Sequence, residues 1–225
     1  KPELAKQHSV GLSFTQPFRI AQQRGSEFRI TADYYYNRIS DKIIAYPKGQ
    51  QFRWTMLNLG LVKINGLDIN AQLHCVLPEN FYLTAKAQYT YQTAVDVTDP
   101  SDTYYGHQIP YIPWHSGSAV GILGWQNDWM QYGLNYSFIY VGERYNQQDN
   151  ILFNYTQPWY THDLSVYGEW DIYKVKGESL EVKGKKLFTL RVALDVNNLL
   201  SQDYDVILNY PMPKRNYKCT ISITY

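Results

Sequence analysis

The sequence predicts an all-β protein: an antiparallel transmembrane β-barrel, represented by about nine strands. Three observations lead there. Apolar and polar residues alternate with a period of two along most of the chain. Aromatic residues gather at the ends of the alternating stretches. The polar face carries Lys86, Glu169, Asp171, Arg191 and Asp195, too much charge for a dry core and well suited to a wet or plugged lumen. Composition agrees. The 225 residues are 44% hydrophobic with a net charge of +1, which argues against disorder and offers nucleic acid no basic patch. Tyr is abundant, at 22 residues. No apolar run approaches the ~18–20 residues of a spanning helix, and a barrel needs none, because its outward and inward residues average out.

The expected strands follow in order. The first two, 7–16 and 26–46, hold HSVGLSF and EFRITADYYYN, the latter with Tyr34-Tyr35-Tyr36. The third, 56–76, sets Leu67, Ile69, Ala71, Leu73 and Cys75 against Asp68, Asn70, Gln72 and His74. In the fourth, 80–95, Phe81, Leu83, Ala85, Ala87, Tyr89 and Tyr91 oppose Thr84, Lys86, Gln88, Thr90 and Gln92. The fifth, 116–126, contains SAVGILGW and closes on Trp125. The sixth, 129–143, sets Met130, Tyr132, Leu134, Tyr136, Phe138 and Tyr140 against Gln131, Gly133, Asn135 and Ser137. The seventh, 160–173, contains DLSVYGEWDI, and the eighth, 186–200, puts Phe188, Leu190, Val192, Leu194 and Val196 on one face. The last, 214–225, alternates from Asn216 and ends on Tyr225. Several exceed the ~5–6 residues of a globular strand and match the ~9–11 that cross a bilayer.

Connections alternate as well. Pro78-Glu79-Asn80 and Gln126-Asn127-Asp128 are tight polar turns, whereas 96–115, 144–159 and 201–213 are long and rich in Tyr, Asp, Asn, Gln and Pro. Short turns inside and long loops outside is the outer-membrane arrangement. Lys174–Lys185 is expected to be an extended, charged turn on the short side. Nine strands ending on the short side would start on the long-loop side, whereas intact single-chain barrels have an even count. Lys1-Pro2-Glu3 has no feature of a signal peptide. The expectation is a C-terminal portion of a larger barrel. Cys75 and Cys219 read as small apolar packers, too few for a disulfide scaffold or a zinc site.

Seven short motifs, in one order from end to end, resemble those of TonB-dependent outer-membrane receptors. They are Lys1-Pro2-Glu3; Tyr36-Asn37-Arg38-Ile39 with Asp41, Ile43 and Ile44; and Asn58-Leu59-Gly60 followed by Ile64-Asn65-Gly66-Leu67-Asp68. Then come Ile109-Pro110-Tyr111-Ile112-Pro113-Trp114-His115 and Val141-Gly142-Glu143-Arg144-Tyr145. Val196-Asn197-Asn198-Leu199-Leu200 with Tyr204, and Tyr210-Pro211-Met212-Pro213-Lys214-Arg215, complete the set. Lys214 stands where the family usually has Gly, and Tyr225 where it usually ends on Phe.

The resemblance implies residues 1–225 as the C-terminal part of a barrel of about 22 strands, with the N-terminal plug and earlier strands absent from this chain. It implies a transporter in the bacterial outer membrane, not an enzyme. That transporter imports cobalamin, a ferric siderophore or haem with energy delivered by the TonB complex. Implied partners are TonB through the absent N-terminal region, membrane lipid, the remaining plug and barrel, and a surface lipoprotein. No cofactor is implied beyond a transported metal complex. Candidate ligand contacts are the loop aromatics and their neighbours: Tyr104, Tyr105, His107, Tyr111, Tyr145, Asn146, Phe153, Tyr155, Trp159 and Tyr160. Haem ligation by His107 or His162 is conceivable but has no supporting spacing. An enzymatic alternative, a protease- or phospholipase-like barrel, would draw on Ser101, Asp102 and His107, or on His162-Asp163, without any activated-nucleophile motif. A small structural or adhesive barrel is the third class.

Overall fold

A computed structural model of the chain describes residues 1–48, 53–173 and 186–225. In chain order the strands are β1 (Leu4–Ile20), β2 (Gln23–Lys48), β3 (Arg53–Val76), β4 (Phe81–Asp96), β5 (His115–Gln126) and β6 (Met130–Val141). After these come β7 (Arg144–Tyr145), β8 (Tyr155–Thr156), β9 (Trp159–Tyr173), β10 (Lys186–Asn197), β11 (Asp205–Ile207), β12 (Tyr210–Pro211) and β13 (Asn216–Thr224). Nine of them form one antiparallel sheet in the order β1-β2-β3-β4-β5-β6-β9-β10-β13. The nine expected strands are these nine. The pairs β7–β8 and β11–β12 are small ribbons inside the long loops. The turn expected at Lys174–Lys185 lies outside the described residues.

Register puts the apolar sets of all nine strands on one face. Cys75 pairs with Leu83, Leu83 with Leu123, Leu123 with Leu134, Leu134 with Val166, Val166 with Leu194, and Leu194 with Cys219. Seven strands thus contribute to one unbroken apolar row, and many of its members are exposed. A soluble sheet would cover such a row with a second layer; a barrel wall presents it to lipid. Cys219 lies open at the end of the row while Cys75 is buried. We therefore expect a lipophilic maleimide to label Cys219 in bilayers and a charged maleimide to leave it unmodified; equal labelling by both would place that face in water.

Aromatics bracket the row. Toward the short turns, Trp125 stacks on Tyr132 at 5.9 Å, Tyr132 meets Trp170 edge-on at 5.8 Å, and Phe188 meets Tyr225 at 6.2 Å. Toward the long loops, Tyr89 and Tyr91 flank His115, and Tyr136, Phe138 and Tyr160 surround His162. These are the two interfacial belts.

The inward face is polar and internally paired. Thr90 donates to Asp68 (2.6 Å), Thr189 donates to Asp171 (2.7 Å), and Arg191 lies 3.4 Å from Glu169. Three inward tyrosines lie flat against the wall, each across a glycine of the next strand. A Cβ would stand 2.1 Å from the Tyr35 ring at Gly66, 2.1 Å from the Tyr82 ring at Gly124, and 2.3 Å from the Tyr167 ring at Gly133. Gln131 donates to both Tyr82 (2.7 Å) and Tyr167 (3.1 Å), and the Arg191 guanidinium caps the Tyr167 ring at 4.2 Å.

β1 and β2 run longer than the expected 7–16 and 26–46, because they join through only Ala21 and Gln22, at φ 46 and 69. Two successive positive φ values make a tight hairpin of the primed kind. Neither residue is the Gly or Asn that normally announces it, so the sequence concealed it. At the opposite end β2 and β3 continue past their neighbours. They enclose the one cluster of buried apolar residues among those described, Leu59, Val62, Ala94 and Ile109, with Ile44, Ile64 and Ile112 packed on it.

Candidate ligand-binding loops

The first long loop, 97–114, is anchored on that cluster. Leu61 N donates to Thr98 Oγ1 (2.8 Å) and Val97 N to Leu61 O (2.8 Å). Gln108, only 1% exposed, is its keystone. Its Oε1 accepts from Ala94 N (2.8 Å), its Nε2 donates to Ile112 O (3.2 Å), and its backbone exchanges bonds with Asn150 of the second loop at 2.7 and 2.9 Å. Gln148 Nε2 adds a bond to Asp96 Oδ2 at 2.8 Å. The tip of the first loop is a run of side-chain-braced turns. The Ser101 N–H and then its hydroxyl bond Asp99 and hold that carboxyl below the usual range.

Arg144 ties the second loop to the third. It is 3% exposed, and its Nη2 donates to the carbonyls of Asp205 (2.9 Å) and Val206 (2.8 Å) on β11. Burial weighs against its charge, while nearby Tyr111 and Asp205 favour it. Tyr111, from the first loop, donates its N–H to Tyr145 O (2.7 Å), and its hydroxyl meets the Leu208 N–H of the third loop. Burial pushes that phenol up. Three loops far apart in sequence therefore meet at Tyr111 and Arg144. The third loop is shaped at its root by Asn198, at φ 50, which receives the Gln202 N–H and donates to Gln202 O, both at 2.8 Å. Between the second and third loops lies a recess of about 490 Å³ lined by Tyr155, Thr156, Trp159, Tyr204, Asp203 and Asp205. Five buried polar atoms along 144–159, on Arg144, Asn146, Asn154, Thr156 and Trp159, have no hydrogen-bond partner among the described residues.

The ten sequence-predicted residues separate by surroundings. Tyr104 and Tyr105 are partly exposed in the first loop, at 38% and 44%, and Phe153 in the second is 86% exposed beside the equally bare Leu152. His107, Tyr111, Tyr145, Asn146 and Tyr155 are half-buried in the scaffold. His107 Nδ1 lies 3.2 Å from Gln148 O, and Asn146 N donates to Asn154 O (2.9 Å). Tyr145 sits edge-on to both Trp114 (5.9 Å) and Tyr155 (6.0 Å), and Tyr155 donates to Glu143 (3.0 Å). Trp159 belongs to β9 and packs on Tyr204 at 4.6 Å inside the recess. Tyr160 is the next residue of the same strand and so points outward, into the belt beside Phe138 and His162. It is a belt residue and not a loop contact.

His162 shares that outward face, bonded through Nδ1 to Tyr136 at 2.6 Å, which removes it as a haem ligand within the loops. The catalytic groupings also fail to assemble. Ser101 Oγ bonds Asp99 and Asp102 accepts from Tyr104 N, neither touching His107. His162 and Asp163 point to opposite faces of β9. Sequence reasoning missed Gln108, Asn150, Tyr204 and Asp205 as loop organisers. Arg144 and Tyr204 stood inside the quoted motifs, but nothing there marked Arg144 as buried or Tyr204 as packed on Trp159.

The family model described as "TonB dependent receptor-like, beta-barrel" matches residues 1–199. Among solved structures, the chain is similar to BauA, the ferric preacinetobactin receptor from Acinetobacter baumannii. There the TM-score is 0.64 at 13% identity, over 98% of this chain and 29% of that one. It is also similar to Fiu, the ferric-catecholate import receptor from K12 E. coli, at TM-score 0.60 and 18% identity, over 100% of this chain and 28% of that one. The FrpB iron transporter from Neisseria meningitidis gives 0.55 at 18% identity, over 98% and 31%. The chain thus spans less than a third of each of these proteins. No curated protein sequence matches it.

Proposed function

This chain belongs to the TonB-dependent receptor β-barrel family, a family of transport receptors and not of enzymes, and from that premise we propose that it supplies barrel wall and ligand-binding loops to an outer-membrane importer. In this reading residues 1–225 are the C-terminal part of the barrel, completed by further strands and a plug, and TonB drives import through the plug. The cargo is a scarce, large nutrient: a ferric chelate first, with haem or cobalamin behind it. Two of the similar structures are receptors for ferric ligands by name, which favours the first.

One observation carries the reading beyond family membership. Three loops are cross-braced at Tyr111 and Arg144, and the same loops expose Phe153 almost fully and Tyr104 and Tyr105 in part. Rigid supports under exposed aromatic rings suit a large, flat, partly apolar ligand, because little ordering entropy is lost on binding. The recess at Trp159 and Tyr204 offers a second contact.

The test is growth. A strain lacking the full receptor should fail on one limiting nutrient, a ferric siderophore, haem or cobalamin in separate cultures, and recover when that nutrient is abundant. Normal growth on all three would sink the transport reading for these cargoes. With the cargo known, Tyr104→Ala and Phe153→Ala should each weaken its binding about fivefold by titration, as expected for loss of a stacking ring.

A further inference from the structure

Among the described residues, the outward stripes of the nine strands carry fixed charge at one place only. Outward positions run from Leu4 to Phe14 in β1, Phe28 to Arg38 in β2 and Lys63 to Cys75 in β3, and along the apolar stripes of the other six strands. The only Lys, Arg, Asp or Glu among them are Lys6, Arg38 and Lys63. These three form a single row. Lys6 is directly opposite Arg38, and Arg38 is directly opposite Lys63. Like charges facing one another across strands destabilise a sheet. No ion pair joins any of the three to another described residue, and Lys6 and Arg38 are exposed.

The position of the row says what it faces. The next rung toward the membrane on the same face is His8, Tyr36 and Asn65, with His8 stacked on Tyr36 at 6.5 Å. Below that come Val10, Tyr34 and Leu67, where the apolar stripe begins. The stripe begins four residues along each strand from the row, about 13 Å away. Lipid headgroups lie at that depth, just beyond the interfacial aromatics. The row sits on the long-loop side, hence on the outer leaflet.

We propose that Lys6, Arg38 and Lys63 bind the phosphate groups of an anionic lipid in the outer leaflet. Arg38 at the centre offers a planar fork for a phosphate, and the two lysines add point charges on either side. The bound phosphates offset the repulsion that the row otherwise carries. The lipid's chains continue down over Val10, Leu12 and Leu67. This inference rests on the outer-membrane reading above, and a growth defect separates the two: losing the row should leave nutrient import intact.

The experiment compares the full receptor in detergent with its K6Q/R38Q/K63Q variant. Both are titrated with diphosphorylated lipid A, and bound lipid is counted by native mass spectrometry. Heat-shifted gel mobility confirms that each barrel is folded, and the single variant R38Q serves if the triple variant is not. The triple variant should bind the lipid roughly a hundredfold more weakly, given the usual contribution of each basic residue at a charged lipid surface. Monophosphorylated lipid A should bind the unaltered receptor more weakly than the diphosphorylated form, and inorganic phosphate should not displace either. Equal lipid binding by the variants would overturn the proposal. So would full displacement by inorganic phosphate, which would make the row a free-anion site.

Discussion

Replacing Gly133 with Ala is expected to destabilise the barrel, and replacing Gly121 with Ala is not. Both glycines lie in the middle of strands of the same sheet. At Gly133 a methyl group would stand 2.3 Å from the Tyr167 ring, whereas at Gly121 nothing lies within 4 Å. The ring cannot retreat easily. Its hydroxyl meets Gln131 at 3.1 Å and Tyr82 at 3.3 Å, and Arg191 covers its outer face at 4.2 Å. Overpacking of this kind costs about 1–3 kcal/mol. At Gly121 the same methyl relieves the entropic penalty of glycine in a strand and should be neutral or favourable by about 0.5–1 kcal/mol. The check is the temperature at which folded barrel is lost on semi-native gels, read for G121A, G133A and G133A/Y167A in the full receptor. The double variant should recover part of the loss in G133A. Equal behaviour of G121A and G133A would mean that the flat ring is not what shapes the wall.

Replacing Arg144 with Met is expected to abolish most ligand uptake while leaving the barrel folded. Two carbonyls of the third loop, on Asp205 and Val206, would lose their donor. Bonds to charged groups contribute about 1.5–3 kcal/mol each, and here the loss falls on a loop, not on the sheet. Residues 198–215 should then exchange their amide hydrogens faster, while β10 and β13 remain protected. Uptake should fall at least about tenfold if the aromatic tips lose their common frame. Lysine at the same position should restore part of both readouts, since its single head can still reach one carbonyl. Unchanged exchange in R144M would show that the loops hold one another without this brace.

Much of this was readable from the letters, for physical reasons. A strand with one face in lipid and one in water must alternate, so the nine sheet strands and the outward identity of residues such as Leu134 and Val166 were plain. The hairpin at Ala21-Gln22 was hidden because tertiary pairing, not turn chemistry, imposes its backbone. In the loops, the aromatic letters announced contact area but could not say whether a ring was bare, like Phe153, or built into the frame, like Tyr145. That distinction depends on long-range bonds such as Gln108 to Asn150, which leave no periodic trace. Tyr160 shows the limit at its sharpest: one residue of strand phase separates it from Trp159, and the two rings face opposite media.

The sheet order has a kinetic consequence. Every neighbour in the nine-stranded sheet is also the next long strand in the chain, so each pairing step closes only one turn or one loop. Local pairing keeps the entropy of each closure small, and early hairpins such as β3–β4 can template the strands that follow. The slow events are then the three pairings across the long loops, β4 with β5, β6 with β9 and β10 with β13. In each case the loop must first be reeled in before the strands can zip.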